Sequence, residues 1–158
     1  MKHRMHIALI CGVIALCVVG ATQAKAQQAQ GPPYQAMSDK FFDMVQQGKG
    51  SDAIGYLLDT NPAMKKIPDQ TEQLKAQFAA AAPLLGPYIS HTMLVETKVA
   101  GMFVYQHYFV AYERQPISIR ISYYKPGATW ICYSVQFDVK LTDDIQSVAD
   151  GKIPIDVK

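Results

Sequence analysis

A change in residue composition at Tyr88 constrains the fold of this chain more than any other feature. From Tyr88 onward Val, Ile, Tyr, Phe and Thr dominate, and these residue types favour strands. We predict four strands, at about 88–98, 102–113, 117–124 and 129–139. Because the links between them are short, the strands are expected to form an antiparallel meander.

The alternation of side chains predicts which strands are covered on both faces. Side chains of the third strand alternate between two faces. One face is apolar, with Ile117, Ile119, Ile121 and Tyr123. The other is mainly polar, with Ser118, Arg120, Ser122 and Tyr124. The second strand is apolar on both faces. We therefore expect helices to cover one face of that strand and another surface to cover the other.

Three helices are predicted before the strands. The first is expected to start with Ser38 as its cap and to end at Gly48, and the second to start with Ser51 as its cap and to end at Asn61-Pro62. The apolar side chains of the first recur at helical spacing, at Met37, Phe41, Met44 and Val45.

The third predicted helix has Leu74, Phe78, Ala81 and Leu85 on one face. Asp69 and Glu72 are placed to cap its start. Pro83 is expected to kink or end this helix, and Gly86-Pro87 to terminate it.

The first 26 residues have the three parts of a secretory signal peptide: a basic start, an apolar run from Ile7 to Val19, and the cleavage pattern Ala24-Lys25-Ala26. An uncleaved membrane anchor is the alternative. We therefore predict a bacterial protein that is periplasmic or secreted. Residues 27–35 are rich in Gln, Gly and Pro and are predicted to be a flexible lead-in, and residues 147–158 a tail.

Cleavage at this point would change the charge balance. Of the 15 Lys and Arg residues three lie in the predicted leader, so about 12 remain against 13 Asp and Glu. With no basic cluster beyond Lys65-Lys66, nucleic acid and membrane surfaces are not expected partners. Cys132, the single cysteine after cleavage, is predicted to be a buried core residue.

Several phrases of the sequence support a family resemblance. They are Gln73-Leu74-Lys75 with Leu85-Gly86-Pro87-Tyr88, Tyr123-Tyr124-Lys125-Pro126-Gly127, and Trp130 leading to Phe137-Asp138. With the order of elements they resemble the nuclear-transport-factor-2-like, or SnoaL-like, superfamily, in particular an exported bacterial branch whose function is mostly unassigned. The resemblance covers roughly residues 36–146, but the chain lacks an evident strand hairpin between the first two helices.

The resemblance implies an α+β domain in which three N-terminal helices pack on a curved, cone-like, four-stranded antiparallel sheet. Some members of the superfamily use the cavity of the cone for catalysis, some for binding and some not at all. Many dimerise through the outer surface of the sheet. The resemblance therefore implies a homodimer here as well, and fold alone does not decide the function.

Arg120 is a lone charge in the middle of a strand. A guanidinium in a concave site would favour a carboxylate or phosphate ligand. The alternatives are a solvated face or an ion pair with an acid across a dimer. Asp138, at the end of the last strand, could cap a terminal helix at 142–148 or act as a base.

His91 and His107 lie on neighbouring predicted strands, and the register of the first turn decides whether they share a face. Without a nearby carboxylate they would make a poor metal site, and we predict neither a metal nor a cofactor. Hydrogen-bonded or edge histidines are the simpler interpretation. The aromatic residues of the strands would line an apolar pocket or form core and subunit contacts: Tyr105, Tyr108, Tyr112, Trp130 and Tyr133.

No hydrolase, redox or phosphate-loop motif is present in the sequence. We therefore expect a small exported non-catalytic domain that binds a small molecule or a partner protein as a dimer. The alternative is a SnoaL-like acid/base enzyme, with His107 or Asp138 as the base and Arg120 holding a small anionic substrate. The predicted ligand-binding residues are Arg120, Tyr124, His107, Tyr105 and Trp130.

Overall fold

The computed structural model describes residues 32–139 and residue 150. Its helices are α1 (Pro33–Gln46), α2 (Gly50–Leu58) and α3 (Pro68–Leu85), with a 3-10 turn at Met64–Lys66. Its strands are β1 (Tyr88–Val99), β2 (Phe103–Tyr112), β3 (Ile117–Tyr124) and β4 (Ile131–Asp138). All three strand pairs are antiparallel and the order is β1-β2-β3-β4, so the predicted α+β meander is confirmed. The predicted signal peptide and the predicted helix at 142–148 lie outside the described residues.

The first helix begins earlier than its apolar pattern predicts. Pro33 occupies its first turn, where a residue without an N–H loses no helical hydrogen bond. Residues 33–35, which we assigned to a flexible lead-in, are therefore helical, and Tyr34 is buried. Ser38 is not a cap but lies inside the helix with its side chain in the core.

The other two predicted caps are also absent. Ser51 lies inside α2, and its hydroxyl donates instead to the carbonyl of Lys75, 3.1 Å away on α3. At the start of α3 no side chain caps the helix, and Glu72 pairs with Lys75 at 2.9 Å. In each helix a side chain that was predicted to take part in capping bonds to another group, because capping competes with other hydrogen bonds.

Pro83 does not end α3, which continues to Leu85. A proline so close to the end of a helix removes few of the helical hydrogen bonds. The carbonyl of Pro83 accepts a hydrogen bond from Arg114 Nη1 at 2.6 Å. Gly86 then terminates the helix with a φ of 81°, a left-handed conformation that favours glycine. The predicted end at Gly86-Pro87 is confirmed.

The sheet has two distinct faces. The inner face contacts the helices: the ring of Tyr108 lies 4.6 Å from that of Phe42 on α1, and Phe137 lies 5.1 Å from Phe78 on α3. The opposite side is here called the outer face. The apolar set of β3, which was predicted from alternation, is fully buried on the inner face: Ile117, Ile119, Ile121 and Tyr123. None of the described helices is long and apolar enough to cross a membrane.

Candidate functional site

Strand register places most of the predicted ligand-binding residues on the outer face. Tyr105 and His107 alternate with the inner residues Gln106 and Tyr108, and they therefore point away from the helices. His107 lies directly opposite Arg120 on β3. Tyr124 belongs to the same set of alternating residues on β3 as Arg120. Four of the five predicted residues thus share one surface.

Trp130 is the exception among these five residues. It lies just before β4 and packs against Tyr34 of α1, with the two ring centroids 4.9 Å apart in an edge-on arrangement. Lys125 lies over its ring at 5.9 Å. Trp130 therefore joins the layer between helices and sheet and not the outer face.

A β-bulge separates the two histidines. Val95 pairs with His107, whereas His91 pairs with Val110, and the register shifts between Met93 and Val95. One extra residue in β1 moves the side chains that precede it to the opposite face. His91 consequently stacks on Phe42 of α1, with centroids 3.8 Å apart and planes at 8°.

His107 is held in place by its neighbours on the outer face. Its side chain is only 3% exposed, and its Nε2 lies 2.7 Å from the hydroxyl of Ser118 on β3. The Tyr105 ring lies 6.4 Å from the imidazole. No described helix packs against this side of β2. His107 thus does not point into the layer between helices and sheet, where the enzyme hypothesis needed it.

Arg120 has an acid within its own chain. Its Nη2 lies 3.7 Å from Oδ2 of Asp138, and Asp138 is the cross-strand neighbour of Ser118. The buried Nε of Arg120 has no hydrogen-bond partner among residues 32–139. A guanidinium can donate further hydrogen bonds to a carbonyl or carboxylate oxygen. We name His107, Ser118, Arg120 and Asp138 the outer polar cluster.

The other end of the outer face is apolar. Successive cross-strand neighbours form one row across all four strands: Val99, Phe103, Tyr124 and Ile131. The Tyr133 ring lies 6.0 Å from that of Phe103 and extends the row. Val99 is 54% exposed and Tyr133 is 56% exposed. We name these five residues the apolar row; Phe103 is its one residue from β2.

The inner face contains a hydrogen-bond network that the sequence analysis missed. Ser38 Oγ donates to Oε1 of Gln106 at 2.6 Å, and the Tyr123 hydroxyl lies 2.7 Å from the same Oγ. The Tyr108 hydroxyl donates to the same Gln106 oxygen at 3.0 Å, and Gln106 Nε2 donates to Glu96 at 2.8 Å. We name Ser38, Gln106, Tyr108 and Tyr123 the inner network. The only sequence signal for it was a glutamine inside an apolar strand.

Burial sets the protonation state of the inner network. It raises the pKa of Tyr108 to about 12 and raises that of Tyr123 further. Both phenols are therefore neutral at physiological pH and can only act as hydrogen-bonding groups. Since Gln106 and Tyr123 are fully buried, side chains fill this part of the interior where a ligand cavity was considered.

Cys132 is buried in the core, as predicted. Burial raises the pKa of its thiol to about 12, so the reactive thiolate is scarce at neutral pH. Its backbone N–H donates to Thr60 Oγ1 at 2.8 Å, and its carbonyl accepts from Asn61 Nδ2 at 3.1 Å. These contacts fix the edge of β4 to the end of α2 and give Cys132 a structural environment.

Two clefts lie outside both the outer polar cluster and the inner network. One, of about 440 Å³, lies between α3 and the edge of β4 and is lined by residues that include Gln70, Gln77 and Tyr133. The second, of about 590 Å³, lies between the α1–α2 turn, α3 and the ends of β1 and β2. Neither is lined by His107, Arg120 or Asp138.

Within the described part of the chain, no group of three or more His, Cys, Asp and Glu residues is placed to hold a metal ion. Comparisons with family models, with curated proteins and with solved structures found no match to this chain.

Proposed function

We propose that this protein is an exported, non-catalytic binding domain that forms a dimer through the outer face of its sheet. The observation that carries the proposal is the apolar row, which crosses all four strands and is not covered by any described helix. Contiguous exposed apolar surface on a small domain is typical of an interaction site. Export rests on the signal-peptide pattern of residues 1–26.

A second copy of the chain is the partner that this surface fits best. In a two-fold dimer the same patch meets itself, so an apolar row on one subunit covers the apolar row of the other. The outer polar cluster lies on the same face, about four to six residue pairs along β2 and β3 from the row. The partly exposed guanidinium of Arg120 would donate a hydrogen bond to an oxygen of the partner and help to fix the orientation.

Because side chains fill the interior between the helices and the sheet, binding at the outer face is better supported than binding in an internal cavity. Members of the superfamily that this chain resembles form a cone around a cavity, and we propose the same cone-like shape here. The inner network occupies the corresponding space with paired polar groups. A binding domain of this kind therefore acts through its outer face.

The acid/base enzyme has weaker support. His107, Arg120 and Asp138 do lie together, but they are on the outer face and neither cleft contains them. General acid/base catalysis benefits from a site that excludes water and positions a substrate. The Asp138 carboxylate beside Arg120 also offsets the positive charge that an anionic substrate would need.

The proposal is tested by two lysine substitutions on the same strand. Val99 lies in the apolar row, whereas Ile89 is 62% exposed near the start of β1, away from the row. We expect native mass spectrometry of the mature protein to give a dimer. Val99→Lys should weaken the dimer at least about 100-fold, because it places a charge in an apolar contact, and Ile89→Lys should leave the dimer intact.

Two results would contradict the proposal. One is a monomeric wild-type protein at the concentrations at which the variants are compared, and the other is a Val99→Lys variant that dimerises as well as the Ile89→Lys control. Turnover of a small anionic substrate that is lost in His107→Ala would instead establish the enzyme alternative.

A further inference from the structure

The larger cleft is not explained by binding at the outer face. It has a volume of about 590 Å³ and is bounded by the α1–α2 turn, by α3 and by the segment that leads into β1. Volumes of about 300–1,000 Å³ are usual for small-molecule sites. The cleft is therefore large enough for a small organic ligand.

Small residues form one wall of this cleft. Gly48, Gly50, Ala79, Ala82 and Gly86 leave backbone and methyl groups at its surface. A side chain at Gly50 would overlap the Phe78 ring, so this glycine permits the close approach of α2 and α3 beside the cleft.

Aromatic rings also line the cleft. Tyr88 and Tyr112 meet edge to face with centroids 5.8 Å apart, and Phe78 lines the cleft as well. None of the residues that line the cleft carries a charge. An ion bound there would lose hydration without gaining a partner of opposite charge. Burial and, to a smaller extent, the charge of Asp43 raise the pKa of the Tyr88 phenol, and a carboxylate so close further disfavours an anion.

The two tyrosines differ in their hydrogen bonds. The Tyr88 hydroxyl lies 2.6 Å from Nδ1 of His91. Tyr112 is 9% exposed, and its hydroxyl, which solvent reaches, has no hydrogen-bond partner among residues 32–139. A hydroxyl that donates to no protein group is free to donate to a ligand in the cleft. Burial raises the pKa of Tyr112 to about 12, so the group is a neutral donor at physiological pH.

We propose that this cleft binds an uncharged, largely apolar small molecule that contains a ring and a carbonyl oxygen. The ring packs between Phe78 and the tyrosines, and the carbonyl oxygen accepts a hydrogen bond from the Tyr112 hydroxyl. The site is separate from the apolar row and does not depend on dimer formation.

Three probes of similar size test the chemistry of the site: acetophenone, benzoate and ethylbenzene. Acetophenone has a neutral carbonyl, benzoate is an anion, and ethylbenzene has no acceptor. We expect acetophenone to shift the backbone amide signals of Gly48, Gly50 and Gly86 in the ¹⁵N spectrum of the mature protein, with an affinity of about millimolar for so small a probe. Benzoate and ethylbenzene should each bind at least about fivefold more weakly.

Variants test the location. Ala82 lines the cleft and Ala80 does not, although both are exposed on α3. Ala82→Phe should abolish binding of acetophenone by filling the cleft, and Ala80→Phe should leave it unchanged. Tyr112→Phe should weaken acetophenone about tenfold and leave ethylbenzene unaffected.

The inference is overturned if acetophenone does not shift these amides, if benzoate binds as tightly as acetophenone, or if Ala82→Phe binds like the wild-type protein. Each variant is compared only where its amide spectrum matches that of the folded wild-type protein. Loss of the dimer in Val99→Lys should not change probe binding, so the two proposals fail separately.

Discussion

The two faces of the same four strands have opposite organisation. On the inner face Ile119 and Ile121 are fully buried, and the inner network links helix α1 to strands β2 and β3. On the outer face the apolar row is partly exposed, and Arg120 keeps an unused donor within residues 32–139. The side chains of the inner face are paired and packed within one chain, whereas the outer face exposes apolar side chains that another molecule can cover.

This difference indicates where binding takes place. A layer whose polar groups are paired and whose apolar side chains are packed contributes stability and offers no volume to a ligand. An exposed apolar row contributes little to the stability of one chain and favours association. Substitutions on the inner face should therefore change the free energy of unfolding, and substitutions on the outer face should change assembly.

The largest expected effect comes from the core. Ile121→Ala should lower the free energy of unfolding by about 2–5 kcal/mol, because it removes apolar contacts and leaves a cavity. Val99→Ala on the outer face should change it by less than about 0.5 kcal/mol at protein concentrations low enough to dissociate a dimer. Urea unfolding followed by the fluorescence of Trp130, the only tryptophan, measures both. Equal losses would show that the outer face is packed within one chain.

The next effect concerns the inner network. Gln106→Leu should cost about 2–3 kcal/mol, because the buried hydroxyls of Ser38 and Tyr108 lose their acceptor. Gln136→Leu makes the same change at an exposed position of β4, and it should cost less than about 0.5 kcal/mol. The same urea assay applies. If the two variants are equally stable, the inner network contributes nothing to the difference between the faces.

The smallest effect is a pH dependence at the rim of the inner face. Burial lowers the pKa of His91, against smaller opposing effects of Asp39 and Asp43, and Tyr88 and Tyr108 also face its ring. The unfolded chain then binds the proton more readily, so stability should fall as the pH drops below about 6.5. It should stop falling once the pH is below the pKa of the folded state.

His91→Phe keeps the stacking on Phe42 and removes the titration. Thermal unfolding at pH 7.5 and at pH 5 should therefore show a smaller loss of stability in the variant than in the wild-type protein. Carboxylates contribute equally to both, so the difference between the two proteins isolates His91. A variant with the same or a steeper pH dependence would show that burial does not disfavour the charged imidazole.

The sequence predicted the elements better than their contacts. Strand β3 was expected at 117–124 and lies at Ile117–Tyr124, and β2 differs by one residue at each end. Such segments can be predicted because the residue types and the spacing of apolar side chains within a few positions favour a strand. The caps expected at Ser38 and Ser51 were wrong, because each hydroxyl bonds to a group that is distant in the sequence.

The candidate site was predictable only in part. Alternation placed Arg120 and Tyr124 on one face of β3, and the apolar composition of β2 predicted a second surface that covers its outer face. Trp130 shared the aromatic character of that surface but packs on Tyr34. Tyr112 was among the aromatic residues expected in a pocket or in the core, but the cleft beside it gave no signal in the sequence, since helices and strand ends far apart in the chain form its walls.

The sequence by itself determined the order of three helices and four antiparallel strands, because propensity, period and turn residues act over a few positions. Tertiary structure alone decided the bulge after Met93, the face on which His91 lies, and the bond between Ser38 and Gln106, 68 positions apart. A one-residue shift of register moves side chains to the other face of a strand. Such choices depend on which distant side chains pack and hydrogen-bond best. The free energy of these contacts cannot be predicted from a local sequence pattern.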